Sequence, residues 1–592
     1  MTVMGVDTVT ERPVTQRQPP RPTRWLRRLW WRFKRWVLGL PRFPLALAFL
    51  GYLASDTPSL LPRPWYFQGL IGGISGLIFY VIGLIIQEIW QLFARWSGFR
   101  MSIKPGARKV LRRIWYILVL LAVLAYPFVN AAWHSYVTSY VGEQPPGPLY
   151  PLVSILTAIL VAALFLGIYQ LFSKLTHWVM GRLERRVVRV AIARLVAVVV
   201  TIVAVAAVMD QVVVRGLLLA AKQQADAINA STPAGVFAPA SPMRSGSLNS
   251  LVPWDSVGAD GKTFLSSGPN AARMSVVTRD DEAMEPIRVF ASVSNDRNLE
   301  ATKNLVMAEL DRTKAWGRSA ILVVTSTSTG FVNEWGAESF EYLLHGDSAI
   351  VTMQYSTLPS ALGLLTARDE PPKVGRLLFK AVAAKVASLP QNQRPKLYAS
   401  GESLGAFGGN GAFDSPEDML AQVDGALWTG TPSFTDNHEI LTNQRTFGST
   451  VVNPTIQNGL HFRFAGDEEE LTADEYGHEL GPWNAPRVVY LQHDSDPVVW
   501  WSTDLILNTP DWLNETQEPG TPMSYMSWMP FVTFWQVTAD MAMSNTVPGG
   551  YGHRYFETET VPAWAGIFGM KPNGDYTRIE AAIKEANQGA TG

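Results

Sequence analysis

The 592-residue chain has no cysteine. Disulfides, a thiolate nucleophile and Cys-ligated metal sites are therefore excluded. Histidine is scarce, with eight residues in all, which leaves few candidates for a general base. Acidic residues are scarce in the first part. Residues 1–220 carry 7 Asp/Glu against 25 Lys/Arg, whereas residues 221–592 carry 43 against 25. The formal charge of zero hides parts of +18 and −18, which suit different surroundings.

What the first part has instead is long apolar runs. Trp65 to Phe93, Ile114 to Ala132, Leu149 to Phe172 and Val190 to Met209 are each near or above the ~20 residues that carry a helix across hydrocarbon. Phe43 to Leu61 reads as a fifth span, although it holds Asp56 and Pro58. Ten Lys/Arg precede Phe43, seven lie between the second and third spans and six lie in Lys174 to Arg194. Ala132 to Pro148 holds none, and the connection before Trp65 holds only Arg63. The positive-inside rule predicts a cytoplasmic N-terminus and, after five spans, an extracytoplasmic second part. No cleavable signal peptide is expected. The leader, residues 1–42, interleaves Trp with Arg and Lys in RWLRRLWWRFKRWVLGL, as an interfacial helix on anionic lipid heads does; a nucleic-acid patch is the weaker reading, because the segment abuts a span.

Residues 43–220 are thus read as a membrane domain and residues 221–285 as a linker or covering segment rich in Ser, Pro, Gly and Asn. From residue 286 to 592, buried-strand runs alternate with helical stretches: IRVFASV, SAILVVTS, SAIVTMQYS, KLYAS, GALWTG and RVVYLQH. Near-continuous apolar strands separated by helices predict an α/β domain with a mostly parallel sheet.

One strand runs into LYASGESLGAFGG, Leu397 to Gly409, which contains G-x-S-x-G around Ser403. In a chain this rich in glycine the pattern arises by chance about once in four or five sequences, so it needs support. The setting supplies it, since Ser403 falls where a strand turns sharply into a helix. A serine hydroxyl also needs a base and an orienting acid. LQHDSDPVVWW places Asp494 and Asp496 after a late strand, where open α/β sheets build their sites. PGGYGHRY places His553 in a glycine-rich loop near the C-terminus. Asp496 is the preferred acid, because Pro497, Val498 and Val499 can re-enter the core behind it; Asp494 is the alternative. His134 and His177 fall in the membrane part, His345 at a helix end, and His438, His461 and His478 in an irregular insertion. His493, beside the acid loop, is the rival base.

An oxyanion hole needs two backbone N–H groups. Leu404 supplies one, and the loop TSTGFVN offers Thr329 or Gly330 for the other. Glu402 is expected to point away from the serine, into packing or a salt bridge. Trp483, Trp500, Trp501, Trp512, Trp528 and Trp535 crowd the acid loop; core packing and an acyl-chain channel both fit them.

These segments together resemble the actinobacterial membrane-associated α/β-hydrolase family, which pairs a multi-span N-terminal domain with an α/β-hydrolase domain. The resemblance rests on SDTPSLLPR, GLLLA, LYASGESLGAFGG, VDGALWTGTP, YLQHDSDPVVWWS, FVTFWQVTADM and GYGHRYF. It implies Ser403 as nucleophile, Asp496 as acid and His553 as base, with no cofactor and no metal. One departure is a helix between IRVFASV and SAILVVTS, where that fold usually starts antiparallel. The expected activity is hydrolysis of a lipid or cell-envelope ester, with acyl transfer to an envelope alcohol as the alternative. Two other readings are a transport path, for which Asp56 is the hint, and an inert scaffold.

Overall fold

The computed structural model describes residues 40–98, 104–184, 199–200, 203, 215–294, 296–515 and 520–587. Its first part is helical: α1 (Arg42–Ser55), α2 (Trp65–Ser97), α3 (Pro105–Tyr140), α4 (Tyr150–Glu184) and α5 (Arg215–Ala230). Helices α2, α3 and α4 are long and apolar enough to cross a membrane. Their outer faces expose residues such as Leu118, Leu121, Leu160 and Leu164, as lipid-facing surfaces do. Small residues bring α1, α2 and α4 together. A Cβ at Gly69 or Gly73 of α2 would stand 2.4 Å from Thr157 or 2.7 Å from Val161 of α4. This is close helix packing through a G-x-x-x-G face.

The expected span Phe43 to Leu61 is corrected. Helix α1 has 14 residues and ends at Ser55, about 21 Å of helix against ~30 Å of hydrocarbon. The reason is Asp56. Its carboxylate is fully buried, accepting from Asn130 Nδ2 and facing His134 Nε2 at 3.4 Å, so polar partners on α3 hold the chain where the helix stops. The expected span Val190 to Met209 and the interfacial leader lie outside the described residues, apart from residues 40–42, 199, 200 and 203.

The second part is a sheet of seven strands, all parallel, in the order β1-β3-β2-β4-β5-β7-β6. The strands are β1 (Ile287–Ala291), β2 (Ala320–Thr325), β3 (Ser348–Met353), β4 (Lys396–Glu402), β5 (Gly425–Thr429), β6 (Phe462–Ala465) and β7 (Arg487–Leu491). Strands β1, β2, β3 and β5 are buried at every residue, as sheets covered on both faces require. The first strand lies parallel on an edge, which accounts for the helix Leu299–Arg312 that follows it.

Part of residues 221–285 packs onto the hydrolase part. Val252, Val257, Phe264, Leu265 and Met274 join the main core, and Arg244 pairs with Arg288 of β1 in an isolated bridge. A second core matters more for function. It joins Leu60, Leu61 and Val141 of the membrane part to Val499, Trp500, Trp512, Val537 and Val547 of the hydrolase part.

Candidate functional site

Ser403 follows β4 and stands just before the helix Leu404–Asn410, with φ 57 and ψ −123. Positive φ in a residue with a Cβ costs about 1–3 kcal/mol and persists only where the surroundings impose it. Here its N–H donates to Thr429 O of β5 at 2.9 Å. The flanking glycines let the turn close: a Cβ at Gly401 would stand 2.5 Å from Gly405, and one at Gly405 would stand 2.3 Å from Thr325 O. The strained elbow is thus written in the spacing of G-x-S-x-G.

Asp496 follows β7 and is fully buried. Its Oδ1 accepts the Val498 N–H at 2.8 Å, capping the turn Pro497–Trp500. Its Oδ2 faces His553 Nδ1 at 2.6 Å and accepts the Tyr555 O–H at 2.7 Å. The His553 N–H donates to Ser544 O at 2.9 Å, and the ring lies on Gly430, where a Cβ would stand 2.3 Å from Cε1. Gly430 adjoins Thr429, the residue that receives the Ser403 N–H. His553 Nε2 is buried and has no hydrogen-bond partner among the described residues, so the base nitrogen is uncommitted. Burial opposes charge on this ring, but the charge and hydrogen bond of Asp496, with Glu402 behind them, outweigh it and raise the His553 pKa.

The rival residues are committed elsewhere. Asp494 accepts the Tyr140 O–H at 2.8 and 3.0 Å, which fastens α3 to the acid loop. His493 uses both ring nitrogens, Nδ1 toward Gly552 O and Nε2 toward Glu559 Oε1, each at 2.8 Å. His438 is buried against Gln492 Oε1 at 2.8 Å. Glu402 is half-buried, raised in pKa by desolvation, and accepts from Asn333 Nδ2; it forms no ion pair among the described residues. Among the described residues no group of three or more His, Asp or Glu is placed to hold a metal ion.

Of the oxyanion donors, Gly330 is spent: its N–H donates to Thr327 O at 3.0 Å in a turn, because its φ of 94 lets the loop reverse there. The expectation of a Gly330 donor is corrected on that ground. The Thr329 and Leu404 N–H groups have no acceptor among the described residues, and Leu404 opens a helix, where amides point outward unpaired.

Four of the six tryptophans are held in packing contacts. Trp500 is buried with Nε1 on His493 O at 3.0 Å, Trp501 Nε1 donates to Thr538 and Trp528 Nε1 to Leu505 O, while Trp512 joins the second core. Three features escaped the sequence reading. Tyr555 bonds the acid. Leu61 reaches the base loop, 3.3 Å from where a Gly552 Cβ would sit. Asp540 accepts from Ser59 Oγ and the Leu60 N–H and lies 3.4 Å from Arg63 Nε. Both sides of that last contact stand in segments quoted above, SDTPSLLPR and FVTFWQVTADM, but separation in sequence concealed their pairing.

No curated protein and no solved structure matches the chain. Family models do: residues 287–580 match the alpha/beta-hydrolase family and residues 57–269 match the N-terminus of that family. A parallel sheet with a serine elbow after β4, an Asp–His pair across the strand ends and membrane-length helices before them accord with both matches, and the chain belongs to this α/β-hydrolase family with a multi-span N-terminal domain.

Proposed function

We propose that the protein is a serine ester hydrolase whose site faces the bilayer and acts on a lipid or acylated envelope ester. The observation that carries this reading is the Asp496–His553 contact of 2.6 Å, with the far nitrogen of the ring uncommitted and the ring resting on Gly430, next to the Thr429 carbonyl that holds the Ser403 N–H. Ser403 Oγ attacks the ester carbonyl while His553 Nε2 takes its proton. Asp496 keeps the other proton on Nδ1 and stabilises the imidazolium. The Leu404 and Thr329 N–H groups receive the oxyanion; one such donor is worth roughly 3–4 kcal/mol in the transition state. His553 then gives its proton to the departing alcohol. Water, deprotonated by the same nitrogen, cleaves the acyl-serine, and the proton returns to Ser403 as the acid leaves.

The choice of a lipid substrate is supported by how the site is hung. The acid and base loops touch the membrane part through Tyr140 and Leu61. The oxyanion loop is tied to α5, because Ser356 N–H donates to Ser328 O while the neighbouring Gln354 Nε2 donates to Asn229 Oδ1 at 2.7 Å. Attachments on both flanks direct the strand ends toward the bilayer.

Charge supports an outer location. The membrane-helix ends that meet the hydrolase part, Asp56 to Trp65 and Tyr140 to Tyr150, hold Arg63 alone, whereas Arg95, Lys104, Arg108, Lys109, Arg112 and Arg113 gather at the opposite ends. Positive-inside asymmetry then favours a cytoplasmic side for the basic ends of α2 and α3 and an extracytoplasmic hydrolase domain. The test is labelling of full-length protein with a fluorophosphonate probe, followed by hydrolysis of acyl lipids in vesicles. Labelling is expected in wild type and absent in Ser403→Ala; labelling that persists in Ser403→Ala sinks the assignment.

A further inference from the structure

The base loop and the acid loop are joined by a second histidine that takes no part in the steps above. His493 is buried, with Nδ1 2.8 Å from Gly552 O and Nε2 2.8 Å from Glu559 Oε1. A carbonyl only accepts, so Nδ1 carries a proton. Glu559 presents a carboxylate to Nε2 while its other oxygen takes the Phe556 N–H at 2.7 Å. The ring is therefore an imidazolium paired with Glu559. Burial works against that charge, yet the Glu559 charge and hydrogen bond prevail and raise the pKa to about 9. The ring stacks on Tyr555 with centroids 4.2 Å apart and planes 11° from parallel, which sets a cation over an aromatic face. Tyr555 is fixed from both sides. Its hydroxyl accepts the backbone N–H of His493 at 3.1 Å and donates to Asp496 Oδ2 at 2.7 Å.

We propose that His493 and Tyr555 are positioning residues that together set how readily His553 takes the Ser403 proton, an inference that rests on the triad reading above. Two effects act in one direction. The Tyr555 hydroxyl shares Oδ2 with His553 Nδ1 and so withdraws charge from the atom that stabilises a protonated ring. The His493 cation repels a second positive charge on His553. The groups that face His553 are Asp496 after β7 and Glu402 at the end of β4, which favour its charge, and His493, which opposes it; Tyr555 meets the ring edge-on at 5.8 Å, and Glu559 faces His493. With two carboxylates and no opposing cation, His553 would be held protonated, and a protonated ring cannot act as base.

The experiment is the pH dependence of the rate at which a fluorophosphonate labels Ser403 in full-length protein in detergent. His493→Gln and Tyr555→Phe each move the acid limb of that profile upward by roughly 0.5–1 pH unit. Labelling at pH 6 then falls about three- to tenfold, and labelling at pH 9 stays within about twofold of wild type. Glu559→Gln, which keeps both rings and frees His493 to lose its proton, moves the limb the same way and serves if His493→Gln does not fold. A uniform fall at every pH, or a lowered unfolding temperature with an unmoved limb, overturns the proposal. Wild type that labels with unmoved variants sinks this inference alone, whereas wild type that does not label at Ser403 sinks the triad reading with it.

Discussion

Two aspartates sit in the hydrolase part with no exposed surface, and they are built alike. Asp496 receives a backbone N–H, a hydroxyl and an imidazole; Asp540 receives a backbone N–H and a hydroxyl and faces a guanidinium. The difference lies in the cationic partner. A histidine can gain and lose a proton near neutrality, whereas an arginine stays charged under any condition a protein meets. Asp496 can therefore drive a proton transfer, and Asp540 can only hold its partners in place. A buried carboxylate does not by itself mark a catalytic site; the chemistry of its partner does.

The comparison can be broken from either side. The largest effect is expected from Asp496→Asn, which leaves the packing but loses the acceptor that fixes the His553 tautomer; kcat should fall by about 10⁴ with an unfolding temperature near that of wild type. Asp540→Asn should do the reverse. Leaving Arg63 buried without its counter-charge costs about 3–5 kcal/mol, read by thermal unfolding in detergent, while activity per folded molecule stays within a few fold. Ser59→Ala removes one donor to that carboxylate and should cost about 1–2 kcal/mol by the same measurement.

A smaller effect is set by pH. His493 has a folded pKa of about 9, above the ~6.5 of an unfolded chain. Its stabilisation is complete below about 6.5 and is lost as pH rises through about 9. His438, buried and held neutral with its pKa lowered to about 4 by desolvation, acts in the opposite sense: its contribution is present above about 6.5 and is lost as pH falls toward 4. Unfolding temperature against pH should therefore decline on both sides, and a His493→Gln profile that still declines on the alkaline side would contradict the ion pair. The smallest effect is expected from Asp494→Asn, which weakens the Tyr140 contact by about 1 kcal/mol and lowers kcat less than about threefold.

Much of this was legible in the sequence because the relevant signals are local. Strands that are buried on both faces read as unbroken apolar runs, and the elbow needs glycines at fixed spacing. Strand β6 was hidden because Arg463 interrupts its apolar pattern; inside the fold that guanidinium is satisfied by the carbonyls of Gly459, Leu471 and Gly481. The Phe43 to Leu61 span was over-read for a related reason. Hydropathy counts Asp56 as one polar residue in an apolar run and cannot know that α3 brings Asn130 and His134 to it. Choosing Asp496 over Asp494 rested on the apolar residues after Pro497; of these Val499 is buried in the second core, while Val498 is half-buried. Tyr555 carried no signal beyond its place two residues after the base. Its role depends on a ring stacked from a distant loop, which no pattern within one segment records.

The chain looks modular when read from end to end, membrane first and enzyme second. Leu60 and Leu61 contradict that division, since they lie in one core with Trp500 and Val547. Severing the chain after α5 would release a fragment with an open wound beside its base loop, not a soluble enzyme. Proteolytic cleavage between the two parts would thus act as an off switch, and any transplant of this hydrolase onto another anchor must carry the short SLLPR strap with it.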